Sequence, residues 1–395
     1  MKTNSNKESA LFQTLGWAFY LACSWTWCIG MFLPVLLIRD YGPWGWAVFA
    51  VPNISGACAM AYVIKKSDTS KELVEKHKIA CTVFSIVTIM FQIYFIGWLS
   101  TVSSRIFIII TGVVFFLIYT LGSITDKNQR FNAFIIWTLS LICFMLFFYF
   151  VPPEKIDLFK SGNLIHNTNA LLYLTPVCFF GFLLCPYLDL TFHKARQSNS
   201  AGNSKIAFTT GFCFMFLLMI LFTFFYARPM ASVIESIPYF LKDRNKLPLV
   251  FIYPVIFYML IQAGFTTALH CSSIFPMIKR QSRVISLLTI LSIVVFLLPV
   301  IFNGRPTFLN LTINEIIYRS FMAFYSLIAP TYVFLFMITK NGKSIPLTNR
   351  NLCVWIVVIL LALPLYALAF LGTRWNLEIF SLTGLAVALF SRILI

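Results

Sequence analysis

The chain has 395 residues, of which 59% are hydrophobic and 11% are charged, and its mean hydropathy is +0.86. Soluble domains carry about 25% charged residues, so this composition excludes a soluble globular protein. The net charge of +17 would suit an anionic partner, but no Lys/Arg block is interleaved with aromatic residues as nucleic-acid binding requires. We therefore predict an all-α polytopic membrane protein with no nucleic-acid partner.

Apolar runs that could cross a bilayer need roughly 20 residues, and about twelve such spans occur. They begin near Leu11, Trp44, Ile79, Ile106, Phe131, Asn167, Ile206, Leu247, Val284, Ile316, Asn351 and Trp375. With the N-terminus in the cytoplasm, nineteen of the thirty Lys and Arg residues fall on the cytoplasmic side. This excess follows the positive-inside rule, so we expect a plasma (inner) membrane protein with a cytoplasmic N-terminus.

The first span, residues 11–38, is longer than a membrane crossing requires. Residues 24–30 read SerTrpThrTrpCysIleGly, and Pro34 follows. Gly30 tolerates unusual backbone angles, and Pro34 lacks an N–H donor and so frees a carbonyl one turn earlier. Two interpretations stay open: a broken helix whose carbonyls bind a hard monovalent cation, or an ordinary proline kink.

The sixth span, residues 167–192, holds three helix breakers, Pro176, Gly181 and Pro186. Asp189 is the acidic residue that falls inside a core span, and an intramembrane charge is by default a functional hypothesis. Because His193 and Lys194 follow closely, we place Asp189 near the cytoplasmic interface. We expect a gate or structural ion pair there, with a proton carrier as the alternative.

The spans divide into two halves of five, which predicts an inverted repeat because the second half enters from the opposite face. The first repeat covers residues 11–151, the second covers 167–339, and 351–395 would form two peripheral helices. Between spans seven and eight, residues 227–241 keep apolar residues at helical spacing between prolines. They predict a short amphipathic helix on the outer surface. Glu315 is expected to pair with Arg319 one turn later.

Span eight carries adjacent hydroxyl residues, Thr266 and Thr267, whose oxygens suit a hard cation. Small hydroxyl residues also let helices pack closely, which is the structural alternative. The predicted ion-binding residues are Cys23, Thr26, Thr266 and Thr267. The predicted substrate-binding residues are Ser24, Trp25, Thr26, Trp27, Asn53, Gln92, Tyr94, Phe180, Gly181, Gln262 and Tyr325. The lone His270 favours no other metal, and no organic cofactor is implied.

Three stretches carry a family resemblance. Residues 29–34 and 41–46 read IleGlyMetPheLeuPro and TyrGlyProTrpGlyTrp, residues 185–196 read CysProTyrLeuAspLeuThrPheHisLysAlaArg, and Thr266 and Thr267 are adjacent. Together they resemble the solute:sodium symporter family, whose fold is the inverted-repeat LeuT type. PhePheGlyPhe, residues 179–182, also resembles the amino acid/polyamine/organocation permeases. The resemblance implies a sodium site built from span-eight hydroxyls and span-one carbonyls.

The expected function is secondary active transport, in the form of sodium-coupled symport of a small polar organic solute by alternating access. The partners are then a small-molecule solute and membrane lipid, and the oligomeric state stays open. One alternative is a non-transporting sensor or partner subunit on the same fold. Another is a membrane-embedded lipid-linked transferase, but no paired carboxylates or Asp-x-Asp motif favours an enzyme.

Overall fold

The structure is a computed structural model that describes residues 2–102, 112, 126–151, 168–235, 252–278, 282–302, 309, 311–339 and 345–395. Within these residues, nine helices are long and apolar enough to cross a membrane. A tenth span results if the bent pair Leu11–Trp25 and Cys28–Tyr41 is counted as one. The all-α polytopic fold predicted from composition is therefore confirmed. The predicted fourth span, beginning at Ile106, lies outside the described residues.

The helices follow one another in chain order with short connections. They are α1 (Lys2–Trp25), α2 (Cys28–Tyr41), α3 (Trp44–Val63), α4 (Ser67–Lys76), α5 (Lys78–Val102), α6 (Asp126–Phe150), α7 (Leu171–Leu184), α8 (Leu190–Gln197), α9 (Ala201–Thr210), α10 (Leu217–Glu235), α11 (Tyr253–Ile278), α12 (Ser282–Ile301), α13 (Ile313–Ala323), α14 (Ala329–Tyr332), α15 (Asn349–Leu371) and α16 (Ile379–Leu394). A π-helical segment, Gly211–Phe216, joins α9 to α10, and another, Phe324–Ile328, joins α13 to α14. Spans seven and ten are thus continuous helices with a local widening.

The first span is broken, but earlier than its glycine and proline suggested. Helix α1 ends at Trp25, helix α2 begins at Cys28, and the two are bent by 54°. Trp27 is in extended conformation at the break. Gly30 and Pro34 both lie inside α2, which continues past them to Tyr41. The prediction of a break is confirmed, and its assignment to Gly30 and Pro34 is wrong.

The sixth span is also interrupted, and only its last breaker marks the interruption. Helix α7 runs through Pro176 and Gly181, and a 3-10 segment, Cys185–Leu188, contains Pro186. Asp189 is then non-helical and caps α8, because its carboxylate accepts a hydrogen bond from the backbone N–H of Thr191. A cap of this kind satisfies one orphan donor at a helix start.

The predicted surface helix after span seven is wrong for residues 227–235. They continue helix α10, which ends at Glu235. Met230 and Ala231 stay buried, so their spacing extends the packed face of span seven. Residues 236–241 lie outside the part of the chain that the structure describes.

The two halves pack by the same scheme. Span one (α1 and α2) packs on span seven (α9 and α10), and α7 of span six packs on α3 of span two. Likewise α1 packs on α6 of span five, and α7 packs on span ten. Helix α11 of span eight lies against α5 of span three. Each broken span therefore contacts the equivalent spans of the opposite and the same half.

The crossing of α3 and α7 depends on a glycine. A Cβ atom at Gly56 would overlap the backbone oxygen of Phe182. Small residues allow such close approach between membrane helices. By contrast, a Cβ atom at Gly202 in α9 would meet no other atom within 4 Å.

We predict that Gly56→Ala lowers stability, because the added methyl group must push α3 away from backbone that cannot rotate aside. Overpacking of this kind costs about 1–3 kcal/mol. The matched variant Gly202→Ala should not lower stability, since alanine favours a helix by roughly 0.5–1 kcal/mol. Thermal unfolding of the purified protein measures both, and equal melting temperatures for the two variants would contradict the prediction.

Candidate functional site

The interruptions of spans one and six meet in the interior. The ring of Trp25, at the end of α1, lies 4.8 Å from that of Phe192 in α8. Trp25 also lies 4.5 Å from Trp27, and Trp27 lies 5.4 Å from Tyr325 of span ten in an edge-to-face contact. Aromatic pairs at these separations are favourable beyond their burial. These four side chains join both breaks to span ten.

Side chains from elsewhere satisfy the backbone near the first break. The indole N–H of Trp27 donates to the carbonyl of Ser24 at 2.5 Å. The hydroxyl of Tyr318, in span ten, donates to the carbonyl of Cys28 at 3.0 Å. Irregular backbone is tolerated at membrane depth where protein receives its polar groups. The break is therefore held by specific neighbours.

A cluster of oxygen atoms joins span eight to the end of α1. The hydroxyl of Thr266 donates to the carbonyl oxygen of Cys23 at 3.2 Å. Thr267 donates instead to Ala263 of its own helix at 2.7 Å. One turn before Thr266, the side-chain oxygen of Gln262 is buried and has no hydrogen-bond partner among the described residues. Oxygen ligands of this type suit a hard cation.

The other predicted ion ligands are placed beside this cluster. The thiol of Cys23 donates to the carbonyl of Ala133 at 3.4 Å, so Cys23 offers its carbonyl rather than its sulfur to a hard ion. The hydroxyl of Thr26 donates to the carbonyl of Ala22 at 2.8 Å and also reaches Met219. The side chain of Thr26 is fully buried.

Asp189 lies deeper than the sequence suggested. Its side chain is fully buried, and one carboxylate oxygen accepts from the N–H and hydroxyl of Thr191, both at 2.7 Å. The second oxygen lies 3.9 Å from Nε2 of His270, and neither atom has another partner in the described part of the chain. The expected cation, Lys194, pairs with Asp126 at 2.8 Å. The shallow position is wrong because α8 begins in the interior.

Several predicted substrate residues border the breaks. Asn53 accepts a hydrogen bond from the indole N–H of Trp25. Ser24 donates to the carbonyl of Leu21 in its own helix. Tyr325 forms a hydrogen bond with Thr88 at 3.1 Å. Of this group, Asn53 and Tyr325 link different spans.

Other predicted residues are placed differently. Gln262 donates to Ser140 at 2.9 Å, and Gln92 is buried with no side-chain partner among the described residues. Tyr94 joins α5 to α13 through Asn314. Phe180 belongs to a separate cluster, where its ring lies 5.8 Å from Phe334. Gly181 faces span ten, because a Cβ atom there would lie 2.8 Å from the carbonyl oxygen of Tyr325.

A cavity of about 760 Å³ adjoins the breaks. Spans one, six and ten form its walls, together with the end of α15. Ile29, Gly181 and Tyr325 line it, and Asp40 and Arg319 are among its few polar residues. A volume of this size suits a small organic ligand, and binding pockets are typically apolar with few polar groups.

A buried network of four charges borders the cavity. Arg39 pairs with Asp40 at 2.7 Å and with Glu315 at 2.6 Å, and Arg319 pairs with Asp40 at 2.5 Å and with Glu315 at 2.8 Å. No side chain in it is more than 10% exposed. The predicted pair of Glu315 with Arg319 is confirmed. Arg39 and Asp40 were missed, although two opposite charges directly after an apolar span were a visible signal.

Comparisons with known proteins identify no relative from sequence. No protein-family model and no curated protein matches the chain. A solved structure to which the chain is similar is that of Mhp1, a nucleobase-cation-symport-1 family transporter, in a closed conformation with bromovinylhydantoin bound. The TM-score is 0.47 and the identity is 11%, over 97% of this chain and 96% of that chain. A likeness at this level assigns neither a family nor a function, and it does not single out the solute:sodium symporters.

The charge network yields a stability prediction. Glu315→Gln should lower stability by about 3–5 kcal/mol, because it leaves two buried arginines with one carboxylate between them. The control is Asp68→Asn, which breaks the exposed pair with Lys71 and should cost at most about 1 kcal/mol. Chemical or thermal unfolding of the purified protein measures both changes. A small effect of Glu315→Gln, equal to that of Asp68→Asn, would show that the network does not stabilise this state.

Proposed function

We propose that the chain is a secondary active transporter with the inverted-repeat core of the LeuT-type fold. The observation that carries the proposal is the contact between two broken spans, made by Trp25 of span one and Phe192 of span six. Broken helices at corresponding positions in two halves point to a transport site. The protein would lie in the plasma (inner) membrane with its N-terminus in the cytoplasm.

The proposed repeats are residues 11–151 and 167–339. The matching contacts of spans one and six with spans seven and two support this division. Helices α15 and α16 pack on one another, and α16 also packs on α7. We assign residues 351–395 to a peripheral pair because this pair adds to one flank of the second half. Whether the family is that of the solute:sodium symporters belongs to the same proposal.

The proposed substrate is a small organic solute with a largely apolar body and a few polar groups. The cavity of about 760 Å³ supports this, since its walls are apolar and it ends at Tyr325 and Gly181. Polar groups of the solute would reach the breaks, where Trp25 and Asn53 offer hydrogen-bonding groups. The aromatic rings of Trp27 and Tyr325 would contact its apolar body.

Sodium is the proposed coupling ion. The hydroxyl oxygen of Thr266 and the carbonyl oxygen of Cys23 lie 3.2 Å apart, one on each side of the contact between span eight and span one. Cys23 lies two residues before the last residue of α1, so a sodium ion bridging these oxygens would hold α1 against α11. Thr26, Thr267 and Gln262 lie close enough in sequence to complete the ligand set. Ion and solute would then stabilise the same arrangement of the broken spans, which is the thermodynamic basis of coupling.

Alternating access requires that the broken spans move relative to spans three, eight and ten. The charge network joins α2 to α13 at one end of the cavity, where Arg39 meets Glu315 and Asp40 meets Arg319. Separation of these pairs would open the cavity on that side. Asp189 is proposed to act at the other break, because it begins α8 and faces His270 of span eight.

We predict that sodium raises the melting temperature of the purified protein relative to potassium at equal ionic strength. A ligand at 100 times its Kd stabilises the folded state by about 2.7 kcal/mol. Thr266→Ala should abolish the difference between the two salts, and Thr266→Ser should retain it because the hydroxyl remains. The control is Thr289→Ala, which removes an exposed hydroxyl that bonds to Ile285 of its own helix. Comparing salts within each variant cancels the variant's own effect on stability.

Uptake into proteoliposomes tests transport itself. Solutes that raise the melting temperature more in sodium than in potassium would be offered, and an inward sodium gradient should accelerate their uptake. Equal melting in both salts would contradict sodium coupling. Binding of a solute without uptake under any ion gradient would contradict transport and favour a sensor.

A further inference from the structure

A second cavity, of about 1130 Å³, lies at the junction of α4 and α5. Its walls also include span ten and α15. It is separate from the cavity beside the breaks: Tyr332 lines this one and Arg319 lines the other. Thirteen residues separate these two positions in span ten, which corresponds to roughly 20 Å along a helix. The second cavity therefore lies toward the opposite end of the bundle.

Two buried nitrogen atoms in the walls of this cavity have no partner among the described residues. His77 is 2% exposed, and its Nδ1 forms a hydrogen bond with the hydroxyl of Tyr332 at 3.0 Å. The atoms without a partner are its Nε2 and the indole Nε1 of Trp355. The ring of Tyr332 lies between them, 5.8 Å from His77 and 5.7 Å from Trp355. Buried donors without acceptors are costly and call for an acceptor that completes the site.

His77 is electrically neutral at physiological pH. Burial lowers the pKa of His77 to about 4, and the charge of neighbouring Lys76 contributes to the same shift. When the Tyr332 hydroxyl donates to Nδ1, the proton of the neutral ring sits on Nε2. His77 then presents an N–H donor, as Trp355 does, and an acceptor group would satisfy both.

The mouth of the cavity is basic, and its flank is apolar. Lys76 and Lys78 line it, with Glu75 as the acidic residue among its lining. Ile79 and Val83 also line it and are 81% and 45% exposed. They lie one turn apart in α5, which is one of the membrane-spanning helices, so this flank faces lipid. The cavity thus offers cations, N–H donors and an apolar side open to the bilayer.

We propose that this cavity binds an anionic phospholipid of the adjoining leaflet. The phosphate group would accept hydrogen bonds from His77 and Trp355 and lie close to Lys76 and Lys78. One acyl chain would lie along Ile79 and Val83. Basic residues at the cytoplasmic ends of membrane helices attract anionic lipids, and the orientation predicted from the Lys and Arg distribution places this junction there. The proposal requires only membrane insertion and does not depend on the transport proposal.

A bound lipid would adjoin the second break. Leu188, which also lines the cavity, is the last residue of the 3-10 segment that precedes Asp189. The lipid would therefore contact the backbone at which span six is interrupted.

The experiment uses quenching of tryptophan fluorescence by brominated lipid. The full chain is reconstituted into phosphatidylcholine vesicles that contain either dibrominated phosphatidylglycerol or dibrominated phosphatidylcholine. The contribution of Trp355 is the difference in quenching between the unsubstituted protein and Trp355→Phe. We expect Trp355 to select phosphatidylglycerol on the order of tenfold, because each lysine near the site favours an anionic headgroup.

Paired lysine variants supply the control. Lys76→Gln with Lys78→Gln should abolish the selectivity. Lys65→Gln with Lys66→Gln removes the same charge from exposed positions outside the cavity and should retain it. Equal quenching by the two lipids, or selectivity unaffected by the Lys76 and Lys78 pair, would overturn the proposal.

Two further measurements distinguish a lipid from a soluble phosphate compound in this cavity. Excess soluble glycerol phosphate should not reverse the quenching, because it lacks the acyl chain, and reversal would assign the cavity to a soluble organic phosphate. Mass spectrometry of lipid that copurifies gives a readout without Trp355. The unsubstituted protein should retain more phosphatidylglycerol than the Lys76 and Lys78 variant, and equal amounts would overturn the proposal.

Discussion

The structure depends on how the interrupted backbone of span one finds hydrogen-bond partners where lipid offers none. The carbonyl of Cys23 accepts from Thr266 of span eight, and the carbonyl of Cys28 accepts from Tyr318 of span ten. Trp27 donates its indole N–H back to the preceding turn. Because these donors come from different spans, the break determines which helices must surround it. The same contacts bring oxygen atoms and aromatic rings together in the interior.

Span ten connects the remaining features along its length. Its first turns carry Glu315 and Arg319 of the charge network, its middle carries Tyr325 beside Trp27, and Tyr332 contacts His77. A π-helical segment, Phe324–Ile328, lies between the first turns and the last. Such segments often occur at functional sites. A movement of the broken spans against span ten would therefore affect the charge network, the cavity and the lipid-facing end together.

Some of the candidate site could be predicted from local sequence, and some could not. Hydropathy located the spans, and overlong apolar segments identified the two interrupted helices. The exact position of the first break was not visible, since Gly30 and Pro34 lie inside α2 while the chain is extended at Trp27. Tertiary contacts stabilised the break at tryptophan instead. Asp189 was expected near the interface because His193 and Lys194 follow it, but α8 begins in the interior and carries them outward.

The amino-acid order is enough to define the class of the protein, because apolar runs of bilayer length and scarce charges permit only membrane-spanning helices. It is also enough to define the Glu315 and Arg319 pair, because residues four apart on a helix are neighbours. Three other features follow from helix packing: Arg39 and Asp40 complete that pair into a network, Thr266 meets Cys23, and Phe180 faces the peripheral helices. These contacts join residues far apart in the chain. Helical periodicity defines the faces of each helix, whereas the packing of all helices decides which faces meet.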